Sequence, residues 1–165
     1  MKKSRIMILL GVVIAGLIIG SFLAKGKVKG GGAAKSYYPD GRLQEVGTLK
    51  DGKLNGEFKS YYPSGHLKMK WTYKDGKKDG LAKFYFENGK LQAKVNYKND
   101  ESEGVSKFYF ESGSLQAEMS YKAGKLDGIS KTYRPSGEII YIDTYENGEM
   151  KVRKPLNDKD KSGVK

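Results

Sequence analysis

Apolar side chains fall on every second position through three stretches of this chain. Leu67, Met69, Trp71 and Tyr73 alternate with Lys68, Lys70, Thr72 and Lys74. Leu91, Ala93, Val95 and Tyr97 alternate with Gln92, Lys94, Asn96 and Lys98, and Leu115, Ala117, Met119 and Tyr121 with Gln116, Glu118, Ser120 and Lys122. A period of two puts the two sets on opposite faces of a β-strand, whereas a helix would mix them. Shorter runs, EFKSYY at 57–62, LAKFYF at 81–86 and VSKFYF at 105–110, precede turn segments such as Pro63-Ser64-Gly65-His66 and Glu87-Asn88-Gly89-Lys90. The recurring Gly41, Gly65, Gly89, Gly113 and Gly137 suit the positive φ of such turns. The other connection, Asp-Gly-Lys-x-Asp/Asn-Gly at 51–56 and 75–80, also has hairpin chemistry.

These elements recur every 24 residues without insertion or deletion, at 37–60, 61–84, 85–108 and 109–132, with a degenerate fifth copy from Tyr133. A fixed period in this range denotes a repeat array, in which each unit buries its apolar face against its neighbours. The predicted fold is all-β: an elongated single-layer antiparallel meander of repeated hairpins, with ten strands spanning about 45–50 Å. The end copies differ as caps do. Glu45 and Gly47 replace apolar residues in the first copy, and Val152 replaces a turn glycine in the fifth.

The N-terminus changes the picture. Residues 6–24, IMILLGVVIAGLIIGSFLA, carry no charge and as a helix would span about 28 Å, close to the hydrocarbon thickness of a bilayer. One transmembrane helix is expected ahead of the repeats, in residues 1–24, with a cleaved signal peptide as the alternative. Gly16, Gly20 and Ala24 share one helix face, as in packed membrane helices. The short N-terminal flank favours repeats outside the cytoplasm: a single-pass membrane protein, or a secreted one after cleavage. Residues 25–36 read as a Gly/Lys-rich linker, 37–154 as five repeats, and 155–165 as a disordered charged tail.

Net charge is +12, but seven of the 31 basic residues lie in residues 1–35, which hold no acid. The remainder carries 24 basic against 19 acidic residues. That modest excess, with the membrane segment, disfavours nucleic acid as a partner.

The repeated Tyr-aromatic-x-Asn/Ser-Gly-x-Leu, followed by Tyr-Lys-x-Gly-Lys-x-Asp-Gly, resembles the variant MORN repeat over essentially all of 37–154. Bacterial chains of this kind are similar to the YwqK-family antitoxin proteins of toxin–antitoxin systems. The resemblance implies a scaffold that contacts proteins and membranes or anionic lipids.

Catalytic chemistry finds no constellation. Cysteine is absent, and the single histidine, His66, takes a turn position held elsewhere by Arg42, Lys90, Ser114 and Glu138. Asp75, Asp79, Asp100, Glu101 and Glu103 lie along turns, but equivalent positions hold Asn55 or Ala123, so no constant calcium ligand set exists. No catalytic residue, cofactor or metal site is expected, and no enzyme. Two features can bind. Lys59, Lys83, Lys107 and Lys131 share one repeat position, forming a row about 10 Å apart that suits anionic lipid or an envelope polymer, or simply keeps the sheet soluble. Trp71 and the series Tyr37, Tyr61, Tyr85, Tyr109 and Tyr133 are candidate partner-binding aromatics. Phe84, Phe86, Phe108 and Phe110 are expected to pack in the core. The expected function is a membrane-tethered protein-binding scaffold. The alternatives are an antitoxin that occludes a toxin and a binder of anionic lipid or polymer.

Overall fold

Alternating side chains and glycine turns produce one open antiparallel sheet. The computed structural model describes residues 31–156; the membrane segment expected at 6–24 and the tail at 157–165 lie outside the described residues. Fourteen strands form: β1 Gly32–Tyr37, β2 Leu43–Lys50, β3 Lys53–Tyr61, β4 Leu67–Lys74, β5 Lys77–Lys78, β6 Gly80–Tyr85, β7 Leu91–Lys98, β8 Glu101–Ser102, β9 Gly104–Tyr109, β10 Leu115–Lys122, β11 Lys125–Leu126, β12 Gly128–Tyr133, β13 Ile139–Glu146 and β14 Glu149–Pro155. The order is β1-β2-β3-β4-β6-β7-β9-β10-β12-β13-β14, with β5, β8 and β11 paired beside β4, β7 and β10. Eleven strands at about 4.8 Å give a ribbon of about 48 Å.

The sheet departs from the ten-strand expectation in three places. At Asp79, Glu103 and Asp127, whose backbone N–H groups bond to the Thr72, Asn96 and Ser120 carbonyls, the strand that closes each middle copy divides into a two-residue and a six-residue piece, whereas β3 runs unbroken through Gly56. At the start, Gly32–Lys35 of the expected linker pair with Val46–Leu49 as an edge strand. At the end, the pairing with β13 runs one residue into the expected tail, Pro155 standing opposite Tyr141.

The strands' alternation separates a packed face from an open one. On the packed face Ala82, Phe84, Ala93, Val95, Tyr97, Phe108 and Ala117 form the core cluster, with Met69, Trp71 and Met119 against it. Phe58 stacks on Trp71 (ring centres 5.7 Å apart, planes 16° apart), and Phe84 meets Trp71 edge-on at 5.9 Å. Phe84 and Phe108 are core; Phe86 and Phe110 are half-buried where the turns begin.

Both ends of this face are polar. Glu45 is 2% exposed, among the described residues accepts only a long Ser36 hydroxyl bond (3.3 Å), and burial raises its pKa. Asp143 is 4% exposed and accepts two bonds from Arg153, at 2.9 and 2.8 Å, while that guanidinium lies 4.7 Å from the Tyr141 ring centre.

The copies are stapled along their turns. Gly76, Asp100, Gly124 and Gly148 donate backbone N–H bonds of 2.8–3.0 Å to Leu54, Lys78, Ser102 and Leu126, each in the preceding copy. Asp100 holds φ 74° where the other copies have glycine, and its carboxylate accepts the Lys78 N–H at 2.8 Å. That bond offsets part of the left-handed strain. The opposite turns are tied by Tyr38 and Tyr62, whose hydroxyls donate to the Tyr61 and Tyr85 carbonyls at 2.7 and 2.8 Å.

Candidate interaction face

The open face owes its order to strand register. Hairpin length fixes register, and register sets which side chains stand opposite one another. Lys59 pairs with Lys70, Lys70 with Lys83, Lys83 with Lys94 and Lys94 with Lys107. The row expected from repeat spacing therefore has its gaps filled. Five lysines stand on five successive strands, about 4.8 Å apart rather than 10 Å. Lys107 then pairs with Glu118, and Glu118 with Lys131, so Lys131 is separated from the run by an acid.

Carboxylates balance only the ends of this run. Glu57 bridges Lys59 and Lys70, the latter at 3.0 Å, and these two ammonium groups hold its pKa low. Glu118 meets Lys107 at 2.9 Å and accepts the Tyr133 hydroxyl at 2.8 Å; both bonds lower its pKa. Among the described residues no ion pair involves Lys83 or Lys94. Like charges placed directly opposite one another destabilise a sheet, so the middle of the row works against folding.

Beside the lysines runs an aliphatic row that the sequence reading did not separate from the core. Leu81, Val105 and Ile129 are 42%, 49% and 56% exposed. They hold one repeat position, two residues before Lys83, Lys107 and Lys131, and pair with Asn96, Ser120 and Thr144. The available signal was the alternation inside LAKF and VSKF, where the second and fourth residues, Ala82 and Phe84 or Ser106 and Phe108, are buried.

The aromatic candidates fall in different settings. Trp71 sits on the packed face among Phe58, Tyr73 and Phe84, with Lys78 Nζ 4.7 Å from its ring centre. Lys78 stands where other copies carry Leu54, Ser102 or Leu126. It also lies 5.1 Å from the Tyr97 ring centre, and burial lowers its pKa. Tyr61, Tyr85 and Tyr109 are half-buried where the register shifts beside the turns, opposite Leu67, Leu91 and Leu115. Tyr37 is 56% exposed on edge strand β1. His66 is exposed in its turn, and its Nδ1 donates to the Glu87 carbonyl at 2.6 Å.

The acids considered for calcium serve the turns instead. Asp75 accepts from Asn55, and Glu103 accepts the Ala123 N–H. Among the described residues no three His, Cys, Asp or Glu side chains gather as a metal site.

A single sheet of stapled hairpins with one packed and one open face defines a β-hairpin repeat protein. The MORN repeat variant model matches residues 31–51, 54–75, 78–99, 102–123 and 126–152, and the chain belongs to that family. No curated protein matches it. Among solved structures, the crystal structure of accessory secretory proteins 1, 2 and 3 of Streptococcus pneumoniae is similar over 75% of this chain and 18% of its own, at 11% identity and a TM-score of 0.21.

Proposed function

We propose that this chain is a non-catalytic scaffold that binds a protein partner across the open face of its repeats, tethered to a membrane through residues 6–24. The observation that carries this reading is the central lysine run. Lys83 and Lys94 stand directly opposite one another with no compensating acid among the described residues, an arrangement that opposes folding and suits an anionic surface from outside. A membrane tether would keep that face near its partner. In the form suggested by the repeat's resemblance to antitoxins, the partner is a toxin, and co-expression of this chain rescues growth from it. The same lysine run favours one second reading, direct attachment to anionic lipid or envelope polymer. Affinity capture from intact membranes tests the choice, comparing the wild-type chain with Lys83→Glu/Lys94→Glu. A stoichiometric protein lost in the variant supports the scaffold; recovery of lipid or polymer alone, or a protein retained equally by both, contradicts it.

A further inference from the structure

We infer that the partner presents an acidic amphipathic helix, laid across strands β6 to β12 with its apolar stripe on Leu81, Val105 and Ile129. The inference rests on the scaffold reading and names the chemistry of the bound element. Successive aliphatic residues in the row are two strands apart, about 9.6 Å. A helix repeats a side chain on nearly the same face every seven residues, about 10.5 Å, so three apolar residues at that interval meet all three positions. Two residues further along each strand, about 7 Å away, stand Lys83, Lys107 and Lys131, with Lys94 between the first two. A helix about 10 Å wide covers both rows and sets acids on its flank against the lysines.

Charge selects among occupants. Residues 1–30 of this chain carry no acid, and a second copy applied to the same face would set lysine against lysine. A bilayer fits less well than a helix. Each exposed aliphatic residue is paired with Asn96, Ser120 or Thr144, whose polar groups resist entry into hydrocarbon. On the N-terminal side the docking surface is bounded, because Glu57 takes the aliphatic position in the preceding copy, opposite Thr72. On the other side the aliphatic row runs on through Thr144 to Val152 of β14, 57% exposed, while Glu118 interrupts the lysines before Lys131.

The test uses the full chain in zwitterionic nanodiscs and a labelled 21-residue Ala/Gln-based peptide with leucine every seventh residue and glutamate four residues after each leucine. Anisotropy should report micromolar binding. Affinity should fall at least tenfold on Leu81→Ser/Val105→Ser/Ile129→Ser, on Lys83→Gln/Lys94→Gln, and with a scrambled peptide of the same composition. Far-UV circular dichroism confirms that each variant keeps its sheet. Absence of binding, equal binding of the scrambled peptide, or indifference to the aliphatic variant overturns the inference. So does a chain that ignores the peptide but binds anionic vesicles through the same lysines. Any of these alongside a captured protein that needs Lys83 and Lys94 rejects the helix while leaving the scaffold in place.

Discussion

Replacing Lys83 by glutamate should make the fold more stable. Lys83 lies between Lys70 and Lys94 on neighbouring strands, and Lys70 already leans on Glu57. Two ammonium groups splayed to about 7 Å repel by about 0.6 kcal/mol in water. A carboxylate at position 83 turns that repulsion from Lys94 into a similar attraction, a swing of about 1.2 kcal/mol. Lys70, partly neutralised, adds a few tenths, for a total of about 1.5 kcal/mol at low salt. At 0.15 M ionic strength the Debye length of about 8 Å cuts this to about 0.6 kcal/mol. Thermal unfolding followed by circular dichroism should show a midpoint about 6 °C higher at 10 mM salt and about 2–3 °C higher at 0.15 M. Lys83→Gln should give about half of each shift. A lowered or unchanged midpoint, or a rise that salt does not diminish, would refute the reasoning that the lysine run opposes folding.

The other predictions concern the packed face and its ends. A Cβ on Gly47 would lie 2.9 Å from Phe58 Cδ2 and 3.0 Å from Leu54 Cδ2, so Gly47→Val should cost about 1–3 kcal/mol in urea unfolding. Arg153→Ala strands the buried Asp143 carboxylate and should cost about 2 kcal/mol, discounted for the partial exposure of the arginine; Arg153→Leu/Asp143→Leu should recover most of it. Burial raises the Glu45 carboxyl above its ordinary 4.5, so its contribution to stability is full below that value and lost as pH rises through the higher folded value. Glu45→Gln should therefore unfold at higher temperature than the wild type at pH 7, with the difference vanishing towards pH 3–4.

Much of this fold was legible because local and global signals agree. The Leu91–Tyr97 alternation and the two kinds of turn each point to antiparallel hairpins, and the strict period extends that answer along the chain. Three features needed the register. Lys70 and Lys94 were assigned to the polar face of their strands, but their place between Lys59, Lys83 and Lys107 depends on which residues the hairpins bring opposite. Leu81 and Val105 were hidden in short apolar runs where period two is blurred by neighbouring aromatics. Gly32–Lys35 looked like a linker because glycine, alanine and lysine have low strand propensity; pairing with β2 decides it instead. Glu45 and Asp143 fall where the 24-residue period aligns Met69 and Trp71, so the period places both on the packed face; their partners needed the register. Of the two, Asp143 alone has a charged partner bonded to it, Arg153, in the following strand.

Photo-crosslinking in the producing cells tests the central claim, that the open face is the working surface. A photoreactive amino acid is placed singly at Asn96, beside Leu81 and Lys94, and at Ser64 or Ser112 in the turns. A discrete protein adduct from position 96, absent from positions 64 and 112 and lost when Lys83 and Lys94 are reversed, is the predicted result. Adducts from the turns alone, or none but lipid from position 96, would contradict it.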